Sequence, residues 1–113
     1  MRGRPLYISA GESHSACVTD RFTLYTWGSG QYGRLGHGFD TDEHVPKAVE
    51  GVEAVQVTCG AFHTLAVTRG GGVVGFGQGR YGKIGVNRAD KDKAYMLPEQ
   101  VTMFKIDSGD LLP

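Results

Sequence analysis

A chain whose second half restates its first must build one structural unit twice. Sliding this sequence along itself gives one clear offset, 49 residues. Residues 8–38 and 57–87 then match without a gap at nine of 31 positions: Gly11/Gly60, His14/His63, Val18/Val67, Thr19/Thr68, Gly28/Gly77, Gly30/Gly79, Tyr32/Tyr81, Gly33/Gly82 and Gly36/Gly85. Others exchange like for like, among them Ile8/Val57, Leu24/Val73, Trp27/Phe76, Arg34/Lys83 and Leu35/Ile84. Gly makes up 18 of 113 residues, about twice ordinary usage, and inflates chance identities. His and Tyr recurring at the same offset are not explained that way. A third copy opens at Ile106-Asp107-Ser108-Gly109, again 49 residues on. Val45-Pro46-x-x-Val49 corresponds to Leu97-Pro98-x-x-Val101, with three extra residues before it and three fewer after. The period survives the shift, so the unit's register is constrained while its loop is free.

Each unit is written in short strands. His14–Thr19 and His63–Thr68 are small, branched or apolar throughout, as are Leu24–Trp27 and Val73–Phe76. Alternation places His14, Ala16 and Val18 on one face and Ser15, Cys17 and Thr19 on the other. Neither face is charged, which fits a sheet packed on both sides. Abundant Gly disfavours long helices, and Gly28–Gly36 and Gly77–Gly85 supply turns. Periods of 40–50 residues with several strands each indicate propeller blades. The expected fold is all-β: a partial β-propeller of two consecutive four-stranded antiparallel blades and a stub. Its expected divisions are a tail over 1–5, repeats over 6–56 and 57–105, and a third start at 106–113.

The unit [IV]-[ST]-x-G-x-x-H-[ST]-x-x-V-T, an aromatic-Gly pair, Y-G-[RK]-[LI]-G and P-x-x-V resembles the regulator of chromosome condensation repeat. The resemblance covers nearly the whole chain from Leu6 onward. A kelch-type Gly doublet would have to recur, and Gly70-Gly71-Gly72 has no Gly counterpart in the Asp20-Arg21-Phe22-Thr23 stretch of the first repeat. Complete members of the resembled family are seven-bladed propellers, so two units and a stub imply part of such a ring. The resemblance assigns the recurring Gly, His, Tyr and Trp27/Phe76 positions to the blade scaffold. It also implies a further activity, guanine-nucleotide exchange on a Ran-like small GTPase.

Twelve Lys and Arg balance twelve Asp and Glu, so the chain offers phosphate no basic field and no nucleic-acid binding is expected of it. No apolar run approaches the roughly 20 residues of a membrane helix. Met1-Arg2-Gly3-Arg4-Pro5 leads into no apolar signal core. Two cysteines make no disulfide framework, so a reducing cytoplasmic or nuclear setting is the default. Gly28-x-Gly30-x-x-Gly33 and Gly77-x-Gly79-x-x-Gly82 both spell the dinucleotide fingerprint. Pyrophosphate, however, needs a helix N-terminus after the last Gly, and Arg34-Leu35-Gly36-His37-Gly38 suits none. Gly11-Glu12-Ser13-His14-Ser15 comes near a nucleophile elbow, but Phe62 stands in place of Ser13 in the second copy. His14 with Cys17 and Cys59 with His63 invite zinc. On a strand, residues three apart face opposite ways, and Cys17 and Cys59 align with Ala66 and Ala10. Both read as packing residues, and no catalytic residue, cofactor or metal is expected.

Scaffold residues repeat because every blade needs them, whereas partner contacts can differ between blades. The divergent positions are therefore the candidate partner-binding residues. Arg21 and Phe22 share one loop, with Phe22 expected as an exposed aromatic. Asp40, Asp42, Glu43 and His44 form an acidic loop after Phe39. Its counterpart carries Arg88, Lys91, Lys93 and Tyr95. The function expected is a non-catalytic protein–protein interaction module, acting as scaffold or regulator, with exchange on a small GTPase as the alternative. Two blades alone leave unpaired strands and open faces, so the chain is also expected to be unstable by itself, to self-associate, or to belong to a longer protein.

Overall fold

The computed structural model describes residues 1–78 and 94–101. Tyr81, Gly82, Gly85, Arg88, Lys91, Lys93 and the third-copy start at 106 lie outside the described residues. The described residues form seven strands: β1 (Pro5–Ala10), β2 (His14–Thr19), β3 (Thr23–Gly28), β4 (Glu43–Cys59), β5 (His63–Thr68), β6 (Val73–Gln78) and β7 (Ala94–Gln100). They pair in strict chain order, every pair antiparallel. Among the described residues the only helical element is a 3-10 turn at Gln31–Gly33. The fold is that of a partial β-propeller.

The repeat is reproduced at the level of register. His14 sits opposite Gly28 and Val18 opposite Leu24; His63 sits opposite Gly77 and Val67 opposite Val73. Gly28 has φ +110°, and a Cβ there would lie 2.6 Å from the Ser13 carbonyl oxygen and 2.8 Å from the His14 Cα. Gly77, with φ +106°, is crowded in the same way by Phe62 and His63. A side chain at either position would be strained by the backbone and blocked by the neighbouring hairpin, which explains why both are Gly.

The 17-residue β4 belongs to both blades. Its first part, from Glu43 to Glu53, pairs with β3, and from Ala54 onward it pairs with β5. Between Ala48 and Glu53 the register against β3 slips, and Gly51 there adopts φ +81°. One strand thus closes the first blade and opens the second, with the handover at Glu53–Ala54.

The core lies at the seam between blades. Ala16, Val18 and Leu24 of the first blade pack with Val49, Ala54, Ala66 and Phe76. The opposite face of β2 is covered as well: the Met1 sulfur lies 3.9 Å from Cys17 Sγ, and the Arg2 amide donates to the Tyr25 hydroxyl at 2.6 Å. Burial on both faces accounts for the absence of charge along β2.

Candidate functional site

The repeated His14 anchors a polar knot across the seam. Its Nε2 lies 2.7 Å from Thr64 Oγ1, which donates to the Arg34 carbonyl at 2.7 Å. The Thr64 hydroxyl has one proton and spends it on that carbonyl, so His14 donates from Nε2. Arg34, 1% exposed, then spans the blades. Its Nε donates to the Gln31 carbonyl and its Nη1 to the Ala61 carbonyl, both at 2.9 Å. The guanidinium lies 5.0 Å from the centroid of the Phe62 ring, which Tyr32 meets edge-on at 5.6 Å. Gly11 completes the knot, because a Cβ there would overlap the Gly60 carbonyl oxygen.

Burial, with the Arg34 and His63 charges adding to it, lowers the His14 pKa to about 4. The ring is therefore neutral in the fold at pH 7. Above the ordinary histidine value near 6.5 it is neutral in both folded and unfolded chains, and the difference contributes nothing to pH dependence. Between that value and about 4 the unfolded chain binds a proton that the folded chain refuses, so stability falls as pH falls. The expected loss reaches about 3 kcal/mol at the lower end, read as a drop in the urea midpoint. His37, also lowered by burial, adds a slope of the same sign. His14→Gln should flatten the profile between pH 5 and 7, and an unchanged slope would contradict the assignment.

The candidate contact residues fall at opposite ends of the blades. The β2–β3 turn carries Arg21 and Phe22 at one end. Gly28 pairs with both His14 and Glu43, which puts the acidic loop at the other. Arg21 is exposed, as are Asp40, Asp42 and His44, and Glu43 is half-buried at the start of β4. Asp42 also shapes its own loop by accepting from the Gly30 amide at 2.9 Å. Phe39 is 64% exposed and Leu97 57%, and both line a pocket of about 260 Å³ with Gly36, His37, Lys47, Ala48 and Glu50.

Two expectations need correction. Phe22 is not an exposed aromatic: it is half-buried, with the Arg69 guanidinium 4.2 Å from its ring centroid and Arg69 held 3.7 Å from Glu53. Tyr95 is not a loop contact residue either. It lies on β7, 7% exposed, packed with Val101, Leu65 and Val73. The sequence reading missed Arg69, although its alignment with Asp20 marks a charge reversal between the copies.

The chemistry-bearing motifs have structural explanations. The turn after Gly33 leads into Arg34-Leu35-Gly36, which is buried strand-to-strand connection, so no helix N-terminus faces a phosphate there. Burial raises the Cys17 thiol and pushes Cys59 up to about 11, so neither is a thiolate nucleophile at pH 7. Among the described residues no group of three or more His, Cys, Asp or Glu could hold a metal ion, and no helix is long and apolar enough to cross a membrane.

A model of the regulator of chromosome condensation (RCC1) repeat matches residues 23–67, and a second model with the same description matches 54–83. Together they span 23–83, more than half of the chain. The chain belongs to the RCC1 repeat family. Among relatives of known kind, the E3 ubiquitin-protein ligase HERC2 of Homo sapiens is 43% identical over 101 residues, which is 85% of this chain and 2% of HERC2. The serine/threonine-protein kinase Nek8 of Danio rerio is 42% identical over 99 residues, 85% of this chain and 14% of Nek8. The crystal structure of Prp20p from Saccharomyces cerevisiae superposes with a TM-score of 0.80 at 21% identity, over 89% of this chain and 26% of that chain. The likeness to Prp20p carries the fold, and the chain spans a minor part of each of these proteins. Within the RCC1 family the repeated residues are accounted for as blade scaffold: His14, Gly11, Gly28 and Phe76 all serve pairing or the seam. Among the described residues, the divergent Arg21, Phe39, Asp40, Asp42 and His44 are left exposed.

Proposed function

We propose that this chain is a non-catalytic protein-interaction module of the RCC1 type, serving as scaffold or regulator, and that its divergent loops hold the partner. The observation that carries this reading is the contrast between buried repeated residues and exposed unrepeated ones. His14, Arg34 and Phe76 are at most 3% exposed, whereas Phe39, Asp40 and His44 face solvent beside the Phe39–Leu97 pocket. An aromatic set among carboxylates suits a partner segment that is basic and carries one bulky apolar anchor. Arg21, Arg88, Lys91 and Lys93 remain in the proposed contact set; Tyr95 is removed from it. Two free thiols, Cys17 buried and Cys59 half-buried, favour a reducing cytoplasmic or nuclear setting.

Photo-crosslinking from position 39, compared with position 21, tests this reading. A protein captured from 39, and lost when Asp40 and Glu43 become Arg while circular dichroism is unchanged, supports it. Capture indifferent to those charges would overturn the acidic-loop assignment. Exchange on a small GTPase is the second reading, because Prp20p has been described with its binding to Gsp1p and histones. Accelerated nucleotide release from such a GTPase in the presence of this chain would favour it, and an unchanged release rate would remove it.

A further inference from the structure

The pocket beside Phe39, of about 260 Å³, exists because one blade docks on the other. His37 and Phe39 come from the loop between β3 and β4, Lys47 and Glu50 from the first-blade part of β4, and Leu97 from β7 of the second blade. The Gly38 amide donates to the Met96 carbonyl at 2.8 Å, which holds that loop against β7. Sites for whole small ligands occupy roughly 300–1,000 Å³. This smaller pocket suits a single long side chain.

Its walls are chemically mixed. Phe39 and Leu97, both exposed, supply an aromatic face and an aliphatic one. His37 supplies an acceptor. Thr26 Oγ1 lies 2.9 Å from His37 Nε2 and spends its one proton on the Leu35 carbonyl at 2.7 Å. His37 therefore donates from Nε2, and its Nδ1 keeps a lone pair. Burial and the Lys47 charge lower the His37 pKa, outweighing Glu43 and hydrogen bonding to the Thr26 backbone, so the ring is neutral at pH 7. The Lys47 ammonium lies 3.5 Å from Glu43, whereas Glu50 has no ion pair among the described residues. The blade itself demands none of these groups. At the 49-residue offset Val86 replaces His37 and Arg88 replaces Phe39, and with Pro46 aligned to Pro98, Thr102 replaces Glu50.

We propose that this pocket holds an arginine side chain of a protein partner. The guanidinium stacks on the Phe39 ring and donates to Glu50 and to His37 Nδ1, while the methylene stem lies along Leu97. A planar fork can stack on a ring and still reach two acceptors, whereas the lysine ammonium is a strongly hydrated point charge. The proposal rests on the loop-binding reading and adds to it the residue that a basic partner segment places between the blades.

Titration of the full chain with N-acetyl-arginine amide, N-acetyl-lysine amide and N-acetyl-leucine amide tests this, read by NMR of the Phe39 ring and the Leu97 methyls. The arginine probe should shift both saturably, with a dissociation constant on the order of 1 mM, as expected for so few atoms. The lysine probe should bind about threefold more weakly or worse. Glu50→Gln should weaken the arginine probe about fivefold, and Asp20→Asn, at the other blade end, should leave it unchanged. Should Glu50→Gln disturb the fold, the ranking of the three probes on the unmodified chain still decides. No saturable shift with the arginine probe, or equal binding of the lysine or leucine probe, would overturn the proposal. Partner capture from position 39 could still succeed in any of those cases, so the loop-binding reading is judged separately.

Discussion

Replacing Phe76 by Ala should cost about 3–5 kcal/mol of unfolding free energy, read as a fall in the urea midpoint followed by circular dichroism. Phe76 is 0% exposed and sits in the cluster that joins the blades. Its ring reaches across the seam: a Cβ at Gly36 would lie 2.8 Å from Cδ2 and Cε2. Removal therefore forfeits the transfer energy of the ring and leaves a cavity between two β-sheets that cannot collapse freely. Stabilities of ordinary domains run to about 5–15 kcal/mol, so this one change would remove a large share. Trp27 gives the internal comparison. It holds the equivalent position in the first repeat but is half-buried on an open face, and Trp27→Ala should cost distinctly less. Equal costs would mean that the seam does not distinguish the two sites.

Arg34→Ala should cost about 3 kcal/mol, even though it also removes a charge that burial disfavours. Burial lowers the Arg34 pKa, which shows the strain of holding the cation there. Against that stand two donated hydrogen bonds, to Gln31 and Ala61, and the contact with Phe62. Truncation leaves the Ala61 carbonyl without its side-chain donor, the Gln31 carbonyl with only the Arg34 amide at 3.4 Å, and the Phe62 ring without the cation. Lys can reach one carbonyl but cannot span two with a planar fork. Arg34→Lys should accordingly recover only part of the loss, and full recovery would show that the charge alone matters.

Much of the fold is legible in the sequence because the repeat reports it twice. The short strands, the recurring Gly and His positions, and the uncharged faces of β2 all follow from period and alternation. Arg34 is less legible. Beside Lys83 it reads as a charged turn residue, because its burial arises from Ala61 and Phe62 of the next blade, which no local pattern reveals. Phe22 fails for the same reason: its cover, Arg69, comes from the neighbouring repeat. Tyr95 reads as a loop residue because the insertion before Leu97-Pro98 obscures where β7 begins. The split of the candidate contacts between two blade ends depends on strand direction, and alignment of the copies does not carry it.

Contacts between the repeats at His14, Thr64, Arg34 and Phe76 join the two blades into one scaffold. Amide hydrogen exchange of the intact chain tests this most directly, comparing β2 with β5. Both strands should open with the same free energy, in one cooperative event, and Phe76→Ala should lower both equally. Fast exchange in β5 beside a protected, unaffected β2 would contradict it, since the blades would then fold independently.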